Sequence, residues 1–226
     1  MVRKTNKSKI ESSLKPSEKR HQRTQQAILD AARQIIHEEG SNALSMRAIA
    51  QRIDYSPAGL YEYFGSKEEI IGEICQQGHH RLKSYMERVS TALPIEAYLR
   101  ETGLAYIEFA VQNPDFFLLM FTTIPTLPPA DEMTGEALQQ TLEEELMGEN
   151  SAFVVLIKGI QRGVDEGVFT TQPGFGVMEM ALGAWSMVHG LAMLRVTFLQ
   201  GFQADFGLVE RETLRAFYQG LIVNQR

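Results

Sequence analysis

Three helix-start signals crowd into the segment from Ser45 to Glu69, SMRAIAQRIDYSPAGLYEYFGSKEE, and they constrain the fold more than anything else in the chain. Ser45 stands before Met46, Ile49, Ala50 and Ile53, an apolar set at helical spacing, so its hydroxyl can accept from an unpaired first-turn N–H. Ser56-Pro57 repeats the signal, because serine caps and proline suits the first helical position, where an N–H has no partner anyway. Ser66-Lys67-Glu68-Glu69 is a capping box. Starts this close together leave room only for short helices at steep angles, the build of a helix-turn-helix unit. Nothing in the sequence reads as a strand, so the expected class is all-α.

The second short helix, Pro57 to Phe64, sorts its residues. Leu60 and Phe64 lie four apart and face inward, which leaves Pro57, Ala58, Gly59, Tyr61 and Tyr63 outward. Small residues at the amino end let a backbone approach base edges, and two phenols can hydrogen-bond phosphates. The competing reading is a connector in a helical protein whose aromatics fill a core.

The set Ser45…Ile49-Ala50…Tyr55-Ser56…Leu60-Tyr61-Glu62-Tyr63-Phe64…Lys67-Glu68-Glu69 resembles the DNA-binding domain of the tetracycline-repressor (TetR) family. The resemblance extends upstream through Ile28-Leu29-Asp30-Ala31-Ala32 to Gly40 and covers about a quarter of the chain. It implies an all-α protein, with an amino-terminal three-helix DNA-binding domain and a helical-bundle domain for ligand binding and dimerisation. It implies a dimeric repressor that leaves near-palindromic operator DNA when an apolar small-molecule effector binds. Carried onto this sequence, Tyr61, Tyr63 and Lys67 contact phosphates and Arg47 reaches a base edge or phosphate. Pro57, Ala58 and Gly59 sit against the bases, while Ser45 and Ser56 cap and offer first-turn amides to phosphates. One position departs from the pattern: Asp54 stands where the family usually has glycine, so the turn demands a left-handed aspartate.

A net charge of −6 would argue against a nucleic-acid partner if it were evenly spread. It is not: residues 1–67 carry 12 Lys/Arg against 7 Asp/Glu, a net of +5, and residues 68–226 carry 10 against 21, a net of −11. A basic front and an acidic rear orient a molecule on DNA. A single cysteine excludes a disulfide framework and points to a reducing, cytoplasmic setting. The basic amino terminus lacks the apolar stretch of a signal peptide, and the uncharged run Met180 to Leu194 is too short to span a bilayer, so no membrane segment is expected.

Three regions follow. Residues 1–20 read as a disordered basic arm, either an added phosphate or minor-groove contact or a solvating tail. Residues 21–81 form the DNA-binding domain, with its first helix from near Thr24 to Glu39 and Gly40 as its stop. A long helix from Ser66 past Ile70, Ile74, Leu82 and Met86 leads out of it as a transmission rod. Residues 82–226 form the ligand-binding and dimerisation domain. Pro94 opens a helix there, Asn113-Pro114 breaks the pattern, and Thr122 to Pro129 is irregular. Further helices are expected over Glu136–Glu149, Ala152–Glu166, Gly174–Thr197 and Leu208–Val223.

In the helix from Gly174, Gly176, Gly183 and Gly190 recur every seven residues and mark a stripe where a partner subunit can approach. Met178, Leu182, Trp185, His189 and Val196 occupy roughly the opposite, inward side. Trp185…His189-Gly190 is also similar to a Trp-His-Gly signature in one subgroup of TetR-type carboxy-terminal domains. Phe109, Phe116, Phe117, Met120, Phe121, Trp185 and His189, with Tyr106 beside them, suit an apolar ligand pocket and equally an ordinary helical core. His189 reads either as a ligand-orienting group or as a hydrogen-bonded core residue. Cys75 and His79 lie one turn apart with Glu73 and His80 nearby, but third and fourth ligands are not evident, so no metal site is expected. The acidic run Glu143-Glu144-Glu145 reads as a solvated face. No phosphate-binding glycine loop, nucleophile elbow or catalytic triad spacing is present, so neither an enzyme nor a cofactor is expected. The rival function is a small-molecule carrier without specific DNA binding.

Overall fold

The computed structural model describes residues 15–122, 147–148 and 151–222. The expected helix Glu136–Glu149, the acidic run and most of the Thr122 to Pro129 stretch lie outside those residues. The chain divides into two compact units, Met1–Cys75 and Gln76–Arg226. The division falls earlier than the expected 81/82 boundary, inside one long helix.

In the first unit, α1 spans Pro16–Glu39, a 3-10 turn follows at Ser41–Ala43, and α2 (Met46–Arg52) and α3 (Pro57–Leu60) complete the helix-turn-helix. The start of α1 lies well before Thr24, so residues 16–20 belong to a helix and not to an arm. Pro16 takes the first helical position, and the Glu18 carboxylate accepts from the Lys15 backbone N–H at 2.7 Å. The low apolar content of this stretch hid its helical start, because its side chains are solvated rather than packed. Ile28, Leu29, Ala32 and Ile35 of α1 are buried with Leu44, Ile49, Leu60, Phe64 and Ile70.

Helix α4 (Lys67–Met86) carries the chain from the first unit into the second. The second unit continues with α5 (Ile95–Gln112), α6 (Pro114–Thr122), α7 (Ala152–Asp165), α8 (Val177–Val196) and α9 (Phe206–Leu221). Helix α5 is the central element, packed on α6, α7, α8 and α9, and Leu99, Tyr106 and Phe109 on it are almost wholly buried. Among the described residues no strand forms, and the only pairings of that kind are isolated bridges at Phe169–Ile222 and Gln172–Phe175. Helix α8 is long and apolar enough to cross a bilayer by length and composition alone. It packs on three neighbours, however, and Arg195 near its end pairs with Glu210 of α9 at 2.5 Å, so it serves as a bundle helix.

Candidate nucleic-acid interface and effector region

The capping signals at the head are realised in detail. Ser45 Oγ accepts from the Ala48 N–H at 3.1 Å and Ser56 Oγ from the Gly59 N–H at 3.0 Å. Ser66 Oγ accepts from the Glu69 N–H at 3.1 Å, while the Glu69 carboxylate reaches back to the Gly65 N–H at 2.6 Å, one residue earlier than a standard box. Asp54 adopts φ 52°, the left-handed conformation that the turn demanded. Regular helix in α3 ends at Leu60 instead of Phe64, and the chain continues as turns in which Tyr63 and Phe64 both donate to the Leu60 carbonyl.

The sorting of α3 survives this shortening. Leu60 and Phe64 are buried, while Ser56, Pro57, Ala58 and Tyr61 are exposed, with Tyr61 at 56 %. Ser45 and Arg47 are exposed too, and Lys67 is half-buried, 3.9 Å from Glu68. Gly59 is tightly placed: a Cβ there would stand 2.7 Å from Tyr55 Cε1. Tyr63 differs from expectation. It is half-buried, stacked on His21 of α1 with ring centroids 4.6 Å apart and with its hydroxyl 3.5 Å from that of Tyr55. His21 was not legible as a site residue, because nothing in the sequence pairs position 21 with position 63.

In the second unit the expected ligand set splits. Phe117, Phe121, Trp185 and His189 do come together, around Tyr106 and an unforeseen member, Phe153, which packs on Trp185 at 5.7 Å. Phe109 instead meets Tyr85 of α4 at 5.5 Å, and Phe116 and Met120 pack around Gly78 of α4. Inside the cluster Trp185 Nε1 donates to Tyr106 Oη at 3.4 Å, and Tyr106 Oη lies 2.8 Å from His189 Nδ1. An indole can only donate, so the phenol accepts there, and its own proton is available to Nδ1 when the imidazole is neutral with its proton on Nε2. Burial pushes the Tyr106 phenol far up and holds His189 below its ordinary value of 6.5.

The His189 shift has a definite sign. The unfolded chain takes up the proton first, so the stabilisation from neutral His189 is complete above 6.5 and disappears as pH falls through the lower folded value. Chemical unfolding from about pH 7 to about pH 5 should therefore show a shallower loss of stability in His189→Gln than in the native sequence. Parallel curves would exclude His189 as a source of that dependence.

The glycine stripe of α8 also divides. Gly176 precedes the helix as its N-cap, and a Cβ on Gly183 would meet the Phe217 ring of the same chain at 3.4 Å. Only Gly190 has open space, with nothing within 4 Å of a Cβ. Met178 and Leu182, expected on the inward side, are exposed, because a helix apolar all round gives no period from which to read its buried face. Burial raises the Cys75 thiol, which makes it a poor thiolate, and among the described residues no three metal-ligating side chains converge.

Comparison with known proteins agrees with this geometry. The model of bacterial regulatory proteins of the tetR family matches residues 28–74, and that of the tetracyclin repressor-like C-terminal domain matches residues 99–216, more than half of the chain. The chain belongs to the TetR family. The HTH-type transcriptional regulator YobS of Bacillus subtilis is 22 % identical over 90 % of this chain and 95 % of its own. UidR of Escherichia coli, another HTH-type transcriptional regulator, is 34 % identical over 41 % of each chain. Among solved structures, a bacterial regulatory protein in the tetR family from Rhodococcus RHA1 superposes with a TM-score of 0.65 at 18 % identity, covering 88 % of this chain and 98 % of the other. This TetR protein is thus a DNA-binding transcriptional regulator and not an enzyme.

Proposed function

We propose that the protein acts as a dimeric repressor, released from near-palindromic operator DNA by an apolar small-molecule effector. The carrying observation is the exposed Pro57-Ala58 tip of α3 on a capped, buried base, with Gly59 kept small by Tyr55. A tip of this shape fits the major groove, with Pro57, Ala58 and Gly59 against base edges and Ser45, Arg47, Ser56, Tyr61, Tyr63 and Lys67 toward phosphates. The effector would enter the aromatic cluster around Tyr106, Phe117, Phe121, Trp185 and His189, where one polar network can orient an otherwise apolar molecule. Phe109, Phe116 and Met120 face α4 instead. Binding there would shift α4, and with it the separation of the two paired heads. A gel shift with DNA upstream of the protein's own coding region tests the reading. A discrete complex that survives competitor DNA supports a regulator of its own promoter, whereas weak, salt-sensitive association alone supports a carrier.

The second copy would dock on exposed apolar side chains of two adjacent helices. Met178, Leu182 and Leu194 of α8, and Leu208 and Val209 of α9, are each 38–57 % exposed. Exposed apolar side chains of this kind suit a twofold interface. Because Gly183 already abuts Phe217, Leu182→Glu is the cleaner probe. It should weaken self-association by roughly a hundredfold and yield monomers in sedimentation at micromolar concentration. An unchanged dimer would move the interface elsewhere.

A further inference from the structure

The first turns of α1 carry a concentration of charge that the helix itself disfavours. The positive end of a helix dipole favours acidic side chains, yet Lys19, Arg20 and Arg23 all lie within the first two turns, with Glu18 as the single acid there. Spaced three and four apart, they share one face. Arg20 and Arg23 are exposed and Lys19 is half-exposed, and among the described residues none forms an ion pair. Two other arginines of the same unit are neutralised internally: Arg33 pairs with Asp30, and Arg52 reaches Glu38 at 2.6 Å and Glu39 at 3.2 Å.

These three side chains line an open groove of about 850 Å³, whose other wall is the turn residues Ile53 and Tyr55. Tyr55 immediately precedes Ser56, the cap of α3. His21, on the same turns of α1, stacks on Tyr63 just beyond α3. The groove thus adjoins the segment that carries α3: its wall residue Tyr55 and its neighbour His21 both contact Tyr63, just beyond that helix.

We propose that this groove is a second DNA-backbone site, in which Lys19, Arg20 and Arg23 hold phosphates beside the groove entered by α3. The occupant is a polyanion in an extended strand, since the cations are arranged along a helix face and do not converge on one point. The assignment rests on the placement of α3 on DNA proposed above. It makes the amino-terminal turns of α1 part of the interface as ordered helix, where the sequence suggested an unstructured arm that either touches phosphates or solvates.

The test measures the salt dependence of binding by fluorescence anisotropy, with a mixed-sequence duplex of about 30 base pairs and with the upstream fragment. In Lys19→Ala/Arg20→Ala/Arg23→Ala, the slope of log affinity against log salt should become shallower by about 2–3 per head, since each neutralised phosphate contributes about 0.9. The preference for the upstream fragment over mixed sequence should stay within about threefold of the native value, because phosphate contacts carry no sequence information. The charge-keeping variant Lys19→Arg/Arg20→Lys/Arg23→Lys should retain the native slope. An unchanged slope in the alanine variant overturns the proposal and leaves the placement of α3 standing. Equal losses in both variants also overturn it, by assigning these side chains a structural role. A native protein that binds neither duplex overturns the proposal together with the reading on which it rests.

Discussion

Gly59→Val is expected to abolish operator binding while leaving the head folded. A Cβ at this position would stand 2.7 Å from Tyr55 Cε1 and 3.0 Å from Ser56 Oγ. Tyr55 is 41 % exposed, so its ring can swing away at small cost to the fold. The cost falls on the surface instead. The Tyr55 ring is in edge contact with Tyr63 at 6.2 Å and their hydroxyls lie 3.5 Å apart, so moving one phenol disturbs the other. Ser56 Oγ is also the acceptor that caps Gly59, and losing a cap costs about 1 kcal/mol. Operator affinity should fall at least about a hundredfold, some 2.7 kcal/mol, since every 1.4 kcal/mol is tenfold. The melting midpoint should move by only a few degrees, in proportion to the lost cap. Anisotropy with the upstream fragment and a circular-dichroism melt measure the two quantities. Near-native affinity would mean that α3 tolerates a broader tip than base-edge contact allows.

Phe117→Ala carries the largest expected effect on stability. Its ring is fully buried and touches Tyr106, Phe121 and His189, with centroids 5.8, 5.0 and 5.4 Å away. Truncating such a residue removes its transfer free energy and leaves a cavity, a loss of about 3–5 kcal/mol. For a chain of this size the melting midpoint should fall by roughly ten degrees. An apolar cavity lined by rings stays dry and binds small aromatics, so benzene should raise the midpoint of the variant and not of the native protein. Phe121→Ala, at a half-buried ring of the same cluster, should cost clearly less. Equal losses would make the cluster a uniform core with no side for an effector to enter.

The head was legible in the sequence because its signals are local. Ser45, Ser56 and Ser66 each cap the helix that they precede, and Asp54 supplies the left-handed turn. The inward pair Leu60 and Phe64 follows from spacing alone, and it survives the early end of α3 because the following turns keep the same face buried. The start of α1 is silent in the sequence for the opposite reason. Residues 16–23 make few apolar contacts, so no period marks them, and their partner surface at Tyr55 and Tyr63 is distant in sequence. In the second unit, composition identified the aromatic cluster and could not say which rings meet. Phe109 and Phe117 both lie near helix ends rich in aromatics, yet one faces α4 and the other faces His189. Helix α8 shows the limit most clearly. With apolar residues on every side, it offered glycines as the visible pattern, whereas its buried face runs through Met180, Ala184, Val188 and Ala192.

The central claim, that two paired heads each place α3 in the major groove of one duplex, is tested most directly by guanine-N7 methylation protection on the upstream fragment. N7 lies in the major groove, so two protected patches related by a twofold axis are expected, with centres about 34–36 Å apart or somewhat more. Uniform reactivity at N7 across a bound fragment, or a single unpaired patch, would contradict it.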